Sequence, residues 1–108
     1  MAAEPPFVPP GVAITAIDGE GAEVTLSGDV SAVMLRELET LLADLRLQRA
    51  QYWVLDMQGV RRIELACAYA LLRAVTEHSG TAVVRGARRP VRRTLRHAGL
   101  DRAAAIEE

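Results

Sequence analysis

The sequence predicts a single α/β domain: a mixed β-sheet with an N-terminal hairpin and helices chiefly on one face. Three observations carry that expectation. Asp18-Gly19-Glu20-Gly21 is turn chemistry between two alternating segments, which predicts a hairpin. Leu35, Leu38, Leu41, Leu42 and Leu45 recur at three and four residues, the spacing of one helix face. Tyr52-Trp53-Val54-Leu55 is an apolar run leading through Gly59 into a second helical stretch, as a strand followed by a crossover does. Crossovers between parallel strands are nearly always right-handed, so strands laid side by side in one direction leave all helices on the same face.

The elements follow in order. Residues 1–10 hold Pro5, Pro6, Pro9 and Pro10 and read as an extended arm ahead of a domain spanning 11–108. Residues 12–17 form a first strand with Val12 and Ile14 on one face, and residues 22–27 a second with Val24 and Leu26 together. Gly28-Asp29 is expected to break that strand, and Ser31 to cap a helix over 32–48. The leucine stripe is its core face; Arg36, Glu37, Glu39 and Asp44 take the other side. The third strand, 52–55, lacks alternation, as if covered on both faces or lying centrally. Trp53 should be buried on the side opposite Val54. A loop through Gly59, Arg61 and Arg62 follows, and Ile63 re-enters the core. The second helix covers 66–78 and ends at Gly80, and the fourth strand covers 81–85. Pro90 suits the first turn of a third helix, with Val91, Leu95 and Ala98 buried and Gly99 as its stop. Residues 100–106 supply a fifth short strand or a docked turn.

At 108 residues the chain suffices for one modest core without staples. No apolar run reaches membrane-spanning length, and the N-terminus has neither the basic nor the apolar region of a signal peptide. The single Cys67 fits a reducing compartment, so a cytoplasmic location is expected. Formal net charge is −1, unevenly spread. Residues 1–57 hold nine acids and three arginines, and residues 58–108 ten arginines and five acids. That is a dipolar surface able to steer a charged partner, or simply solvated helix faces.

The chemistry of a catalyst is missing. Neither GxxxxGK[ST] nor GxGxxG occurs. His78 and His97 each sit at a helix end, where a cap or surface group is expected rather than a catalyst or ligand. One cysteine and two distant histidines make no metal motif, and no cofactor is implied. Cys67 lies near a helix N-terminus, which lowers a thiol pKa, but its apolar neighbours favour a small buried residue. The seven arginines from Arg85 to Arg102 surround no aromatic residue, and the rest of the domain is acidic, so nucleic acid is not the expected partner.

Four stretches, spanning nearly the whole chain from Val12, resemble the STAS family, whose type members are bacterial anti-sigma factor antagonists. Leu26-Ser27-Gly28-Asp29-Val30 is similar to the family's L-x-G-x-L-D, and Val54-Leu55-Asp56-Met57-Gln58-Gly59-Val60 to its V-L-D-L-S-x-V. Residues 63–72 are similar to I-D-S-S-G-L-x-x-L-L, and Pro90, Val91, Leu95 and Ala98-Gly99-Leu100 to P-x-V-x-x-x-L-x-x-x-G-L. The resemblance implies a STAS-like fold and a non-enzymatic regulatory module for transcription. Its partner would be a serine kinase-like anti-sigma factor, bound through Gly28, Asp29, Ser31, Arg61, Arg62, Glu64, Leu65, Ala66 and Cys67. It also implies an alternative, an accessory subunit of a transporter or a small-ligand or lipid-binding module. A homo-oligomer is compatible with either.

The sequence departs from the family at its switch. In D-S-S-G the first serine is the phosphorylated one; here Glu64 stands for the aspartate, Leu65 for that serine, Ala66 for the second serine and Cys67 for the glycine. Leucine has no oxygen to phosphorylate, so binding without a switch at position 65 is expected. Ser27 and Ser31 are the neighbouring hydroxyls. Leu65 is either a contact at a loop tip or folded down into the core.

Overall fold

The computed structural model describes residues 10–107, so the Pro-rich arm, apart from Pro10, lies outside the described residues. Strands β1 (Gly11–Asp18), β2 (Gly21–Val30), β3 (Tyr52–Ile63), β4 (Thr81–Arg85) and β5 (Ala105–Ile106) pair in sequence order in one sheet. The β1–β2 hairpin is antiparallel; β2–β3, β3–β4 and β4–β5 are parallel. Helices α1 (Leu35–Leu42), α2 (Leu45–Arg49), α3 (Leu65–Glu77) and α4 (Arg89–Ala98) occupy the connections. The expected hairpin and mixed sheet are present, and residues 100–106 supply both expected features: a 3₁₀ turn, Leu100–Arg102, and then β5.

Strand β3 shows why the helices gather on one face. Trp53, Leu55 and Met57 are buried, while Tyr52 and Gln58 are exposed and Val54 and Asp56 half-buried. Of the two expected arrangements, the central position holds, since β3 is the middle strand of the five, while cover on both faces does not: burial alternates along one side. Trp53 is buried opposite Val54, as expected. Fully burying each such large apolar side chain contributes about 1.5–3 kcal/mol, so β3 is the main anchor of the core.

The strand is also far longer than 52–55. Pairing runs Thr25 with Asp56 and then Ser27 with Gly59, so β3 gains a residue; between Gly28 and Asp29 it gains another, passing from Val60 to Arg62. These are β-bulges. They explain why Met57, Val60 and Ile63 are buried at spacings of three, a pattern that reads from sequence as a loop. At the first bulge the Asp56 carboxylate accepts a hydrogen bond from the Gln58 amide at 3.0 Å. β2 likewise runs through Gly28-Asp29 to Val30, because Gly28 takes a positive φ of 72° and absorbs the irregularity without a break.

The expected helix over 32–48 is three pieces: a 3₁₀ turn, Ala32–Met34, then α1 and α2. Asp44 causes the second interruption. Its backbone is extended and its carboxylate accepts from the Arg46 amide at 2.8 Å, making it the N-cap of α2. The Arg46 side-chain hydrogen bond also holds the Asp44 carboxyl below its usual range. The break turns Leu45 outward, 67% exposed, and brings Leu47 into the core instead. The stripe therefore holds only through Leu42.

His78 is the C-cap of α3, its amide donating to the Ala74 and Val75 carbonyls, as one of the two expected roles has it; the other, a surface position, does not hold. This residue is buried, stacked on Trp53 with ring centroids 4.0 Å apart, and its Nε2–H donates to the Ala50 carbonyl at 2.7 Å. Trp53 Nε1–H donates to the Leu47 carbonyl at 2.8 Å. The polar edges of both rings are thus tied to the α2 segment. Alternation along β3 hides Trp53, and the turn out of α3 folds His78 onto it. Gly80 makes that turn possible, since a Cβ there would collide with the Gln51 carbonyl that accepts the Thr81 amide. Gly80→Ala is expected to lower unfolding stability by about 1–3 kcal/mol, the range for overpacking, measured by urea denaturation.

Candidate functional site

Parallel sheets bind partners beyond the carboxyl ends of their strands, where the crossovers leave. Here β2 and β3 end side by side, Asp29 opposite Arg62 and Val30 opposite Ile63. The second bulge leaves both Arg61 and Arg62 exposed while Ile63 returns to the core.

Three hydrogen bonds join the segments that follow these strands. The Glu64 amide donates to the Val30 carbonyl at 2.9 Å. The Ala32 amide donates to Glu64 Oε1 at 2.9 Å. The Cys67 thiol donates to the Ser31 carbonyl at 3.2 Å. Glu64 therefore does the work expected of Ser31, which makes no side-chain cap. Its carboxylate reaches across from the start of α3 and serves the first amide of the 3₁₀ turn. Its own carbonyl accepts the amides of Cys67 and Ala68, opening α3 at Leu65, one residue earlier than expected.

The residues singled out from the sequence gather at this edge, with different accessibilities. Asp29, Arg61, Arg62, Glu64 and Ala66 are exposed, and Ser31 and Leu65 half-buried. Gly28 and Cys67 are buried and can shape the surface without touching a partner. Burial, with the negative charges of Glu64 and Glu39 adding to it, pushes the Cys67 thiol up, opposite to the lowering a helix N-terminus favours. Leu65 packs partly on the core and partly lines a cleft with Ile63, Arg93, Thr94 and His97. Sequence reasoning missed these three α4 residues as neighbours of Leu65. The spacing of Arg93 and His97 places them on one helix face, but only packing brings that face to Leu65. It also missed Val33, 92% exposed on the 3₁₀ turn, and Tyr69, exposed one turn beyond Leu65. Among the described residues, no three His, Cys, Asp or Glu side chains gather as metal ligands, and no helix is long and apolar enough to cross a membrane.

A family model described as "Mlab, STAS domain" matches residues 14–107. The chain belongs to the STAS family. No curated protein matches it in sequence. Among solved structures, an anti-sigma factor antagonist from Mycobacterium paratuberculosis superposes with a TM-score of 0.71 at 20% identity, covering 93% of this chain and 88% of that one. The anti-sigma factor antagonist SpoIIAA in its unphosphorylated form gives 0.69 at 7% identity, covering 91% and 88%. SLC26A9 gives 0.51 at 14% identity, covering 82% of this chain and 18% of that one. At these identities the likeness is one of fold.

Two outcomes test the geometry. Glu64→Ala, which leaves the Ala32 amide without its acceptor, is expected to cost about 0.5–2 kcal/mol in chemical denaturation, and Glu64→Gln, which keeps an oxygen there, less than half as much. Cys67 in the folded protein is expected to alkylate with iodoacetamide at least about tenfold more slowly than in urea at the same pH, because its thiol is buried and held protonated.

Proposed function

We propose that this STAS domain is a non-enzymatic regulatory module of the anti-sigma factor antagonist kind, which docks a serine kinase-like anti-sigma factor at the shared end of β2 and β3. The carrying observation is Leu65. It stands half-exposed at the start of α3, where the family resemblance puts the phosphorylated serine. The site around it is held by backbone and Glu64 hydrogen bonds that need no hydroxyl there. Binding is then constitutive at this position. A phosphate would bring roughly two negative charges next to Glu64, and leucine removes that option. Asp29, Arg61, Arg62 and Ala66 complete the contact surface, and both antagonist structures support the reading through fold.

Leu65→Asp, with folding checked by circular dichroism, is expected to weaken capture of the partner by tenfold or more, about 1.4 kcal/mol. A folded variant that binds as tightly as the parent would show the interface to lie elsewhere. Phosphorylation of Ser27 or Ser31 on incubation with partner and ATP, with release of the complex, would show a displaced switch. Capture of a membrane-associated ATPase in place of an anti-sigma factor would favour the transporter-accessory reading.

A further inference from the structure

We propose that the cleft between Leu65 and α4 receives an acidic protein segment carrying one apolar anchor side chain. The proposal rests on the reading of this edge as a protein-docking surface and specifies the chemistry of what docks. The cleft has a volume of about 310 Å³ and is lined by Ile63, Leu65, Arg93, Thr94 and His97. Its apolar part is two aliphatic side chains, one nearly buried and one half-exposed. Arg93 and His97 line it from α4 and are exposed, and Arg89 is exposed a turn earlier on the same helix. Outside the lining, Arg61 and Arg62 stand exposed at the end of β3, just before Ile63.

These arginines lack counter-charges. Among the described residues, Arg61, Arg62, Arg89 and Arg93 form no ion pair, whereas Arg46 is paired with Asp44 and Arg85 with Glu23. Between residues 85 and 102, seven arginines face a single acid, Asp101. Two other clefts carry their own opposite charges: Arg73 with Glu39 and Glu77 between α1 and α3, and Arg46 with Glu37 and Asp44 beside β1. The α4 cleft has none in its lining. A partner supplying carboxylates completes it with charge-assisted hydrogen bonds, which arginine forms in bidentate geometry.

The lining also selects among anions. It contains no Phe, Tyr or Trp, and a lone imidazole, His97, is no run of stacking platforms such as single-strand nucleic-acid sites use. Two recessed aliphatic side chains offer too little apolar area for insertion into a lipid interface. They do suit one large aliphatic side chain, the usual form of a hot-spot anchor ringed by polar contacts. The occupant is therefore a leucine-type side chain flanked by aspartates or glutamates.

The test is fluorescence anisotropy on the full chain with a labelled peptide of about 12 residues, a central leucine flanked by aspartate and glutamate. Expected is saturable binding that weakens about tenfold or more when the leucine becomes glycine, when the acids become amides, or in Arg93→Glu protein. Arg49→Glu, exposed on α2 and outside the cleft, should leave affinity unchanged. Raising salt from about 50 to about 300 mM should weaken binding severalfold. The proposal is overturned if the peptide does not bind, if Arg93→Glu binds it as well as the parent, or if the leucine-free peptide binds equally. Tighter binding of duplex DNA or phosphatidylserine vesicles than of the peptide would also overturn it. None of these failures decides the Leu65→Asp capture test, which uses the partner itself rather than the peptide and asks whether the edge binds a partner at all.

Discussion

The structure depends on β3 keeping one face toward the helices over its whole 12-residue length. Simple alternation beyond Trp53, Leu55 and Met57 would next turn Gly59 and Arg61 inward, out of phase with the apolar spacing actually present. Two bulges shift the phase, so Met57, Val60 and Ile63 all point into the core. The same bulges leave Arg61 and Arg62 together on the outside and deliver the chain into α3 with Ile63 as its anchor. Core packing and the presentation of the candidate site are therefore consequences of a single strand's geometry, which accords with the enrichment of bulges beside functional sites.

Around that strand, polar groups are used mainly to join elements. Trp53 and His78 stack in the core and spend their N–H groups on the carbonyls of Leu47 and Ala50, so α2, β3 and the end of α3 hold one another. Glu64 does the same at the other end of the sheet, joining the start of α3 to the turn that precedes α1. A hydrogen bond of this sort adds only about 0.5–1.5 kcal/mol net. Its larger effect is to fix the relative position of the two segments that present Asp29, Ser31, Glu64 and Leu65. A pre-ordered edge loses little freedom when a partner arrives, which favours binding.

The family and the structure bear on function in different ways. Membership in the STAS family accounts for the fold, and the resemblance of individual motifs singles out the edge proposed for docking. The residues of this chain alter the character of that edge: hydroxyls are replaced by Leu65 and Ala66, and the neighbouring helix turns an arginine-bearing face toward it. Where the family pattern has a serine, this chain has the half-exposed Leu65 beside Arg93 and His97 of α4. On the proposed reading, that shift moves selectivity from a covalent switch to charge and shape.

By itself the sequence determined the element order, the hairpin and the burial of Trp53. These rest on local signals: Asp18-Gly19-Glu20-Gly21 as turn chemistry, Pro90 and Gly99 as helix boundaries, and apolar periodicity in between. Tertiary structure alone decided the rest. Bulges hide a strand from any period-two reading, because the partner strand sets where the extra residue falls. Asp44 could lie on a helix face or cap a new helix, and burial of Leu47 in place of Leu45 settled which. The direction of the Glu64 carboxylate and the burial of His78 depend on groups 32 and 28 residues away, respectively. The cleft at Leu65 joins residues from α3 and α4 that no spacing along the chain connects, because contact between two helices is fixed by the sheet on which both pack.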